Sequence, residues 1–244
     1  MMKKPKAADP TTTTEAWAEI RSWDGLGAPL EAPRSDWDAK RRARINDETQ
    51  AEAPLVAELR GLGIPLASVW DLANVRLRYP DAVPVLLAAL DKPYPEGVTE
   101  SILRALAHTY GDPPFSKLVW LARHLPESYT DRLKFALGLA IAANAEKRDL
   151  DVLLEVVSDA KLGSGRDEVA RRISAWNDPR IVLVLVGFLK TGDSVWAAIT
   201  ALKRARAWSY ADAVRPYLTS TNDASREAAE QFMKARQRAL GTST

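Results

Sequence analysis

Two successive segments of the chain follow one pattern: DPRIVLVLVGFLKTGDSVWAAITALKRARAW (178–208) and SYADAVRPYLTSTNDASREAAEQFMKARQR (209–238). Each has an apolar stretch, a short polar turn that contains Asp193 or Asp223, and an amphipathic stretch that carries Arg or Lys. Such internal repetition is typical of solenoids, in which each hairpin buries its apolar face against the next one. The two segments therefore predict consecutive helical hairpins within a repeat array.

The apolar run Ile181–Leu189 has a composition that fits either a buried strand or a helix. The preceding Asp178-Pro179 favours a helix, because Asp is a good N-cap and Pro fits the first helical turn. Since this run is apolar all round, we expect the helix to lie between neighbours on both sides.

The same pattern extends upstream with a period of about 30 residues. In the best example the apolar residues follow helical spacing, as in Leu133, Ala136, Leu137, Ala140 and Ile141. The pattern predicts an all-α fold with at least ten helices from residue 80 onward and no β-sheet. First helices are predicted to begin near Asp81, Asp112, Asp149, Asp178 and Ser209, and second helices near Pro95, Thr130, Gly165, Asp193 and Asp223.

The N-terminal part of the chain differs from this array. Residues 1–14 have little to bury and are expected to be disordered. Residues 15–78 are interpreted as an N-terminal helical cap, and 79–240 as the repeat array. Within the cap, one helix is predicted to start near Trp37, and Pro54 is expected to start a separate one. The run Lys40–Arg44 is interpreted as a solvated helix face.

Composition excludes several kinds of site. The 244 residues carry 34 basic and 32 acidic side chains, a net charge of +2, no cysteine and two histidines. Thiolate chemistry and disulfides are therefore excluded, and we expect neither a metal nor a cofactor. No catalytic motif and no apolar run of membrane-spanning length stands out. The chain start lacks the apolar core of a secretory signal, so a cytoplasmic location and no membrane association are expected.

The segment NDASREAA (222–229) resembles the entry to the second helix of HEAT-like (armadillo-type) repeats, and DPR (178–180) resembles the entry to the first. The resemblance covers about residues 80–240. It implies an α-α superhelix of about five hairpins whose second helices line the concave side. Earlier hairpins depart from the pattern, since Asp131 adjoins Arg132 and Gly165-Arg166-Asp167 reverses the order.

Basic side chains recur opposite the apolar stripes of the second helices, and Trp196 falls beside one of them. As a ridge along a concave face, they would suit a partner protein with an acidic surface. Alternatively, they cover helix flanks with their apolar stems, and Trp196 packs against the next repeat. The predicted binding residues are Arg104, Lys134, Arg171, Trp196, Lys203, Arg204 and Arg226.

Three functions are compatible with these features. The first is a non-enzymatic interaction module that binds a partner protein. The second is a nucleic-acid-binding enzyme such as a DNA glycosylase, because some HEAT-like proteins have that activity. It would need an electropositive groove with an aromatic residue and a carboxylate, for which the candidates are Trp176, Trp196, Trp208, Asp167 and Asp193. A lyase or chaperone-like factor that acts on one partner is the third, and the sequence does not separate it from the first.

Overall fold

The computed structural model describes residues 36–74, 79–108, 113–176, 178–192 and 194–241, and in these parts the fold is all-α, as predicted. Twelve α-helices and five short 3-10 helices are formed there, and no strand. Ten of the α-helices follow residue 80, which confirms the expected number. The α-helices are α1 (Asp36–Gly61), α2 (Trp70–Asn74), α3 (Val83–Ala89), α4 (Glu96–Ala105), α5 (Pro114–Arg123), α6 (Asp131–Asn144), α7 (Leu150–Ser158), α8 (Gly165–Ile173), α9 (Pro179–Thr191), α10 (Val195–Arg204), α11 (Ala211–Val214) and α12 (Asp223–Ala239). The 3-10 helices are Pro80–Ala82, Lys147–Asp149, Ala160–Leu162, Trp208–Tyr210 and Arg215–Thr219.

Side-chain caps explain where several helices begin. The Asp178 carboxylate accepts a hydrogen bond from the backbone N–H of Arg180 (2.9 Å), and the Asn222 side chain accepts one from Ser225 (2.9 Å). Such caps satisfy N–H groups that the first helical turn leaves without partners. The predicted starts at these positions are confirmed. Those at Asp112 and Asp193 lie outside the described residues.

The run 181–189 belongs to helix α9, so the helical interpretation is confirmed. Its buried residues are Ile181, Leu185, Phe188 and Leu189, which form one stripe. As expected, α9 has neighbours on both sides, because it contacts the preceding first helix α7, the following first helix α11 and its own second helix α10. Part of its surface still faces solvent, since 64% of Leu183 is exposed.

Helix α1 runs without interruption through Pro54, so the prediction of a separate helix starting there was wrong. Proline removes one backbone hydrogen bond, and its ring crowds the carbonyl four residues earlier. Both Pro54 and Gln50 are exposed, so water can hydrate the freed carbonyl. The opposite face of α1 buries Leu55, Val56 and Leu59.

The chain divides into two compact units, the first ending at Leu106 and the second beginning at Ala107. In the first unit, α1 contacts α3 and α4, and α2 contacts α4. The hydroxyl of the buried Tyr79 lies 2.7 Å from the carbonyl oxygen of Leu72 and 2.9 Å from that of Ala105. The Tyr79 hydroxyl thus links the ends of α2 and α4. The boundaries at residues 14, 78 and 240 that the sequence suggested stay predictions.

The second unit contains four successive pairs of helices. The first members are α5, α7, α9 and α11, and each contacts its own second member, α6, α8, α10 or α12. Each first helix also contacts the next first helix, and each second helix contacts the next second helix. The residues buried between them include Leu137, Leu153, Ile173, Leu202 and Phe232.

Helices α6 and α8 approach each other most tightly at two glycines. A Cβ atom built on Gly138 would lie closer than 3.0 Å to the carbonyl oxygen of Gly165, and one on Gly165 would be equally close to that of Lys134. Real Cβ atoms do not tolerate such distances, so this contact requires glycine on both helices.

No helix among the described residues has the length and apolar character needed to cross a membrane.

Candidate binding groove

A groove of about 550 Å³ opens along the second helices of the second unit. Its lining comes mainly from the first turns of α8, α10 and α12, together with the end of the 3-10 helix Arg215–Thr219. Three helix N-termini therefore meet at one place. The described lining residues are Asp167, Gly192, Ser194, Val195, Trp196, Ala197, Tyr217, Ser220, Asn222, Ala224 and Ser225.

Trp196 is the large apolar side chain of this groove, and 49% of it is exposed. Helix α10 buries a different face, which contains Ile199, Leu202 and three alanines. Trp196 and Lys203 lie seven residues apart, which places them on the same face of the helix about 10 Å from each other. An exposed Trp beside polar groups is typical of contact surfaces.

Asp167 supplies the negative charge of the groove. Burial raises the pKa of its carboxyl, while a hydrogen bond from the Ser194 side chain acts in the opposite direction. Neighbouring Glu168 raises this pKa further and Arg166 lowers it, both by smaller amounts. One carboxylate oxygen, Oδ1, is inaccessible to water and has no hydrogen-bond partner among the described residues. Such a buried acceptor without a donor is uncommon in folded proteins.

The turn before α10 brings Ser194 to Asp167 through an unusual backbone conformation. Ser194 has φ 46° and ψ 35°, in the left-handed region, and Gly192 two residues earlier has φ 77°. For a residue other than glycine this conformation costs on the order of 1 kcal/mol. This unfavourable conformation occurs where the Ser194 side chain forms a hydrogen bond with the half-buried Asp167 carboxylate.

Three other polar side chains of the lining already have partners within the protein. The Tyr217 hydroxyl donates to the carbonyl of Leu189 (2.6 Å), and the Asn222 side chain caps α12. The Ser220 hydroxyl accepts from the backbone N–H of Asn222 (3.2 Å). Asp167 is thus the one described lining residue with a carboxyl group, and its Oδ1 atom is unpaired within the described part of the chain but closed to water.

Several members of the predicted basic ridge form ion pairs along their own helices. Arg171 pairs with Glu168 through Nε (3.0 Å) and Nη2, and Arg226 pairs with Asp223. Each pair joins residues three apart in the chain, so the positive charge is offset within one turn. The ridge on these helices consequently presents alternating charges rather than a continuous positive strip.

The remaining predicted binding residues are placed differently from one another. Lys203 Nζ donates to the side chain of Gln231 on α12 (2.7 Å), Arg204 is exposed, and Lys134 is half-buried. Arg104 belongs to the first unit, where it pairs with the buried Glu100 (2.7 Å) and lies 5.6 Å from the Trp70 ring centre. In the second unit, Trp196 is the predicted site residue that lines the groove.

The other candidate aromatics and titratable groups lie elsewhere. Trp176 is buried, with 8% of it exposed, and Trp208 packs edge-on against Phe232 with 5.3 Å between ring centres. His124 is stacked on Trp120 at the surface, at 4.5 Å. Asp193 lies outside the described residues. No cluster of three potential metal ligands occurs within the ranges that the structure describes.

The sequence did not reveal the groove or the roles of Ser194, Tyr217 and Asn222. These residues come from the turns between first and second helices of adjacent hairpins. The available signal was the regular position of those turns, because stacked repeats place equivalent turns side by side. Asp167 and Trp196 are two of the candidates for the carboxylate and the aromatic residue of a glycosylase-type groove, and both line this groove.

Comparisons of this chain with known protein families, with curated proteins and with solved structures gave no match.

Proposed function

We propose that the protein is a non-enzymatic binding module that holds a partner protein against the second helices of a HEAT-like solenoid. The observation that carries this proposal is the half-exposed Trp196 over a groove built from three successive second helices. We place the module in the cytoplasm, for which the absence of cysteine is suitable.

The helix contacts of the second unit support the solenoid part of this proposal. First helices contact first helices and second helices contact second helices, in chain order. Such nearest-neighbour contacts are the arrangement expected for repeats that each bury a face against the next one. In a curved array of this kind, one layer of helices provides an extended surface.

The ion pairs within the second helices favour Trp196 as the centre of the contact, rather than a continuous basic ridge. Exposed ion pairs contribute only about 0–1 kcal/mol each, and a partner's acidic group would have to compete with Glu168 or Asp223. A large aromatic side chain contributes more binding free energy, because contact with a partner removes a large apolar area from water. Lys203 and Arg204 then act as the polar rim on the same helix.

Photo-cross-linking from α12 tests the proposal. Ala224 lines the groove and Ala239 lies at the other end of the same helix, and both are exposed. A benzophenone amino acid is placed at either position in the source cells. We expect a protein adduct from position 224 that disappears when Trp196→Ala is added, and none of that mass from position 239. Identical adducts from both positions, or an adduct that persists without Trp196, would contradict the proposed contact.

A second candidate function is a nucleic-acid-binding enzyme of the glycosylase type. It is favoured by one observation, that Asp167 and Trp196 line the same groove. The paired arginines weigh against it, because phosphate binding needs unneutralised cations. The test is incubation with duplex DNA that contains alkylated bases at two salt concentrations. Base release that Asp167→Asn abolishes, with affinity falling steeply as salt rises, would favour the enzyme over the binding module.

A further inference from the structure

One oxygen of the Asp167 carboxylate lacks a hydrogen-bond partner in the described part of the chain. Its Oδ1 atom is shielded from water and accepts no hydrogen bond from the described residues. Leaving a buried acceptor unmet is unfavourable, and more so for a charged group. Oδ1 itself is out of reach of a ligand, but Asp167 as a whole is only half-buried and belongs to the groove lining. A cation in the groove can therefore offset the charge of this carboxylate from the groove side.

The nearby arginines of the protein are engaged elsewhere. The Arg166 Nε donates to the carbonyl of Val157 (2.8 Å), and its guanidinium lies 4.0 Å from the ring centre of Phe188. Arg226 donates to the carbonyl of Ser220 (2.9 Å) and pairs with Asp223. Among the described residues, none forms an ion pair with Asp167, so its charge is available to an external cation.

The aromatic wall beside this carboxylate favours a flat cation. Trp196 is half exposed in the same groove. A guanidinium is planar, stacks on an indole face and is more weakly hydrated than an ammonium, so it enters a partly buried site more readily. The volume of about 550 Å³ accommodates the end of one side chain together with its main chain.

The three helix N-termini around the groove favour a ligand of the opposite charge to the one that Asp167 favours. Each carries roughly half a positive charge, which favours anions. The N-terminus of α12 already has a cap from Asn222, and the effect fades within one turn. Asp167 carries a full charge when ionised and is partly withdrawn from water. Its charge therefore dominates the preference of the groove.

We propose that this groove binds the guanidinium of an arginine side chain that a partner protein presents, with its charge beside the Asp167 carboxylate and its plane stacked on Trp196. The inference rests on the proposed function, because it names the chemical group by which the partner is held. It reverses the sign of the partner's charge at this point, from the acidic surface that the ridge suggested to a basic side chain.

The test is an NMR titration of the full-length protein with three capped tripeptides, acetyl-Gly-X-Gly-amide, in which X is arginine, citrulline or glutamate. Citrulline has nearly the shape of arginine without its charge. The reporter is the Trp196 indole N–H signal, assigned by its loss in Trp196→Phe. We expect the arginine peptide to bind at least about ten-fold more tightly than either of the others. Asp167→Asn should remove this preference, and Asp212→Asn, an exposed control in the same unit, should keep it.

The outcomes separate this inference from the function on which it rests. Equal binding of arginine and citrulline would overturn the charge recognition and leave docking at Trp196 standing. Tightest binding of glutamate would show that the helix N-termini dominate, and would also overturn it. If no peptide moves the Trp196 signal, arginine recognition is wrong, and the cross-linking from position 224 decides the proposed function separately. The three peptides are compared on the wild-type protein, and Trp196→Phe serves only to assign the reporter signal.

Discussion

Two neighbouring places on the second helices differ in how closely adjacent repeats pack. Between α6 and α8, Gly138 and Gly165 remove every side-chain obstacle, and the backbones approach until no Cβ would fit. Where the first turns of α8, α10 and α12 meet, Trp196 and Asp167 remain at an open groove. The comparison teaches that side-chain size and polarity at a few positions decide whether adjacent repeats close into core or leave a site.

The largest expected difference is between two tryptophans. Trp176 is 8% exposed and Trp196 is 49% exposed. Trp176→Ala should cost about 3–5 kcal/mol of unfolding free energy, because it empties a buried site. Trp196→Ala should cost under about 1 kcal/mol and reduce partner binding instead. Urea unfolding of both variants checks this, and similar losses of stability would mean that Trp196 is part of the core.

A second comparison concerns α10 itself, which borders the groove. Leu202 is fully buried and Arg204 is exposed. Leu202→Ala should destabilise the protein by about 2–5 kcal/mol. Arg204→Ala should change the unfolding free energy by less than roughly 0.5 kcal/mol. Chemical denaturation gives both values, and equal losses would show that α10 is rotated from the orientation described.

A glycine substitution at Gly138 tests the tight contact between α6 and α8, and one at Gly187, away from that contact, is its control. Gly138→Ala places a methyl group against the α8 backbone and should cost about 1–3 kcal/mol. Gly187→Ala in α9 meets no atom within 4 Å and should stabilise the protein by about 0.4–1 kcal/mol, because alanine restricts the unfolded chain. Thermal and urea unfolding show whether each substitution lowers or raises the unfolding free energy. A neutral Gly138→Ala would mean that the helices separate easily.

The smallest effect is expected from the charge in the groove. The folded pKa of Asp167 is raised above 3.8, chiefly by burial, so the folded state binds more protons than the unfolded state just above that pH. Stability should therefore fall as pH rises from 3.8 through the folded pKa. Asp167→Asn should flatten this fall and leave the protein at least as stable at pH 7. Urea unfolding at pH 4, 5, 6 and 7 tests it, with Asp212→Asn as the control, and a steeper fall in Asp167→Asn would contradict it.

Local features of the fold were predictable, and their success has a physical basis. The Asp178 cap, the start of α12 at Asp223 and the apolar stripe of α6 depend on residues within one or two turns, so sequence spacing fixes them. The exception at Pro54 is also local, because an exposed position lets water replace the lost hydrogen bond.

The groove was not predictable, because it depends on residues distant in the chain. Asp167 and Trp196 are brought together by the packing of consecutive repeats, and Tyr217 is fixed by the carbonyl of Leu189, 28 residues away. The pairing of Arg171 with Glu168 followed from a spacing visible in the sequence. Whether a carboxylate is half-buried without a donor depends on the full three-dimensional arrangement.

The ion pairs between residues three apart in α8 and α12 also affect the rate of association. A charge and its counter-charge within one turn form a small dipole, whose field decays faster than that of a single charge and is screened within about 8 Å at physiological salt. A partner is then guided weakly from a distance, so the association rate constant should be about 10⁵–10⁶ M⁻¹s⁻¹ rather than 10⁸–10⁹. Under these conditions the lifetime of the complex, set at close range around Trp196, determines the affinity.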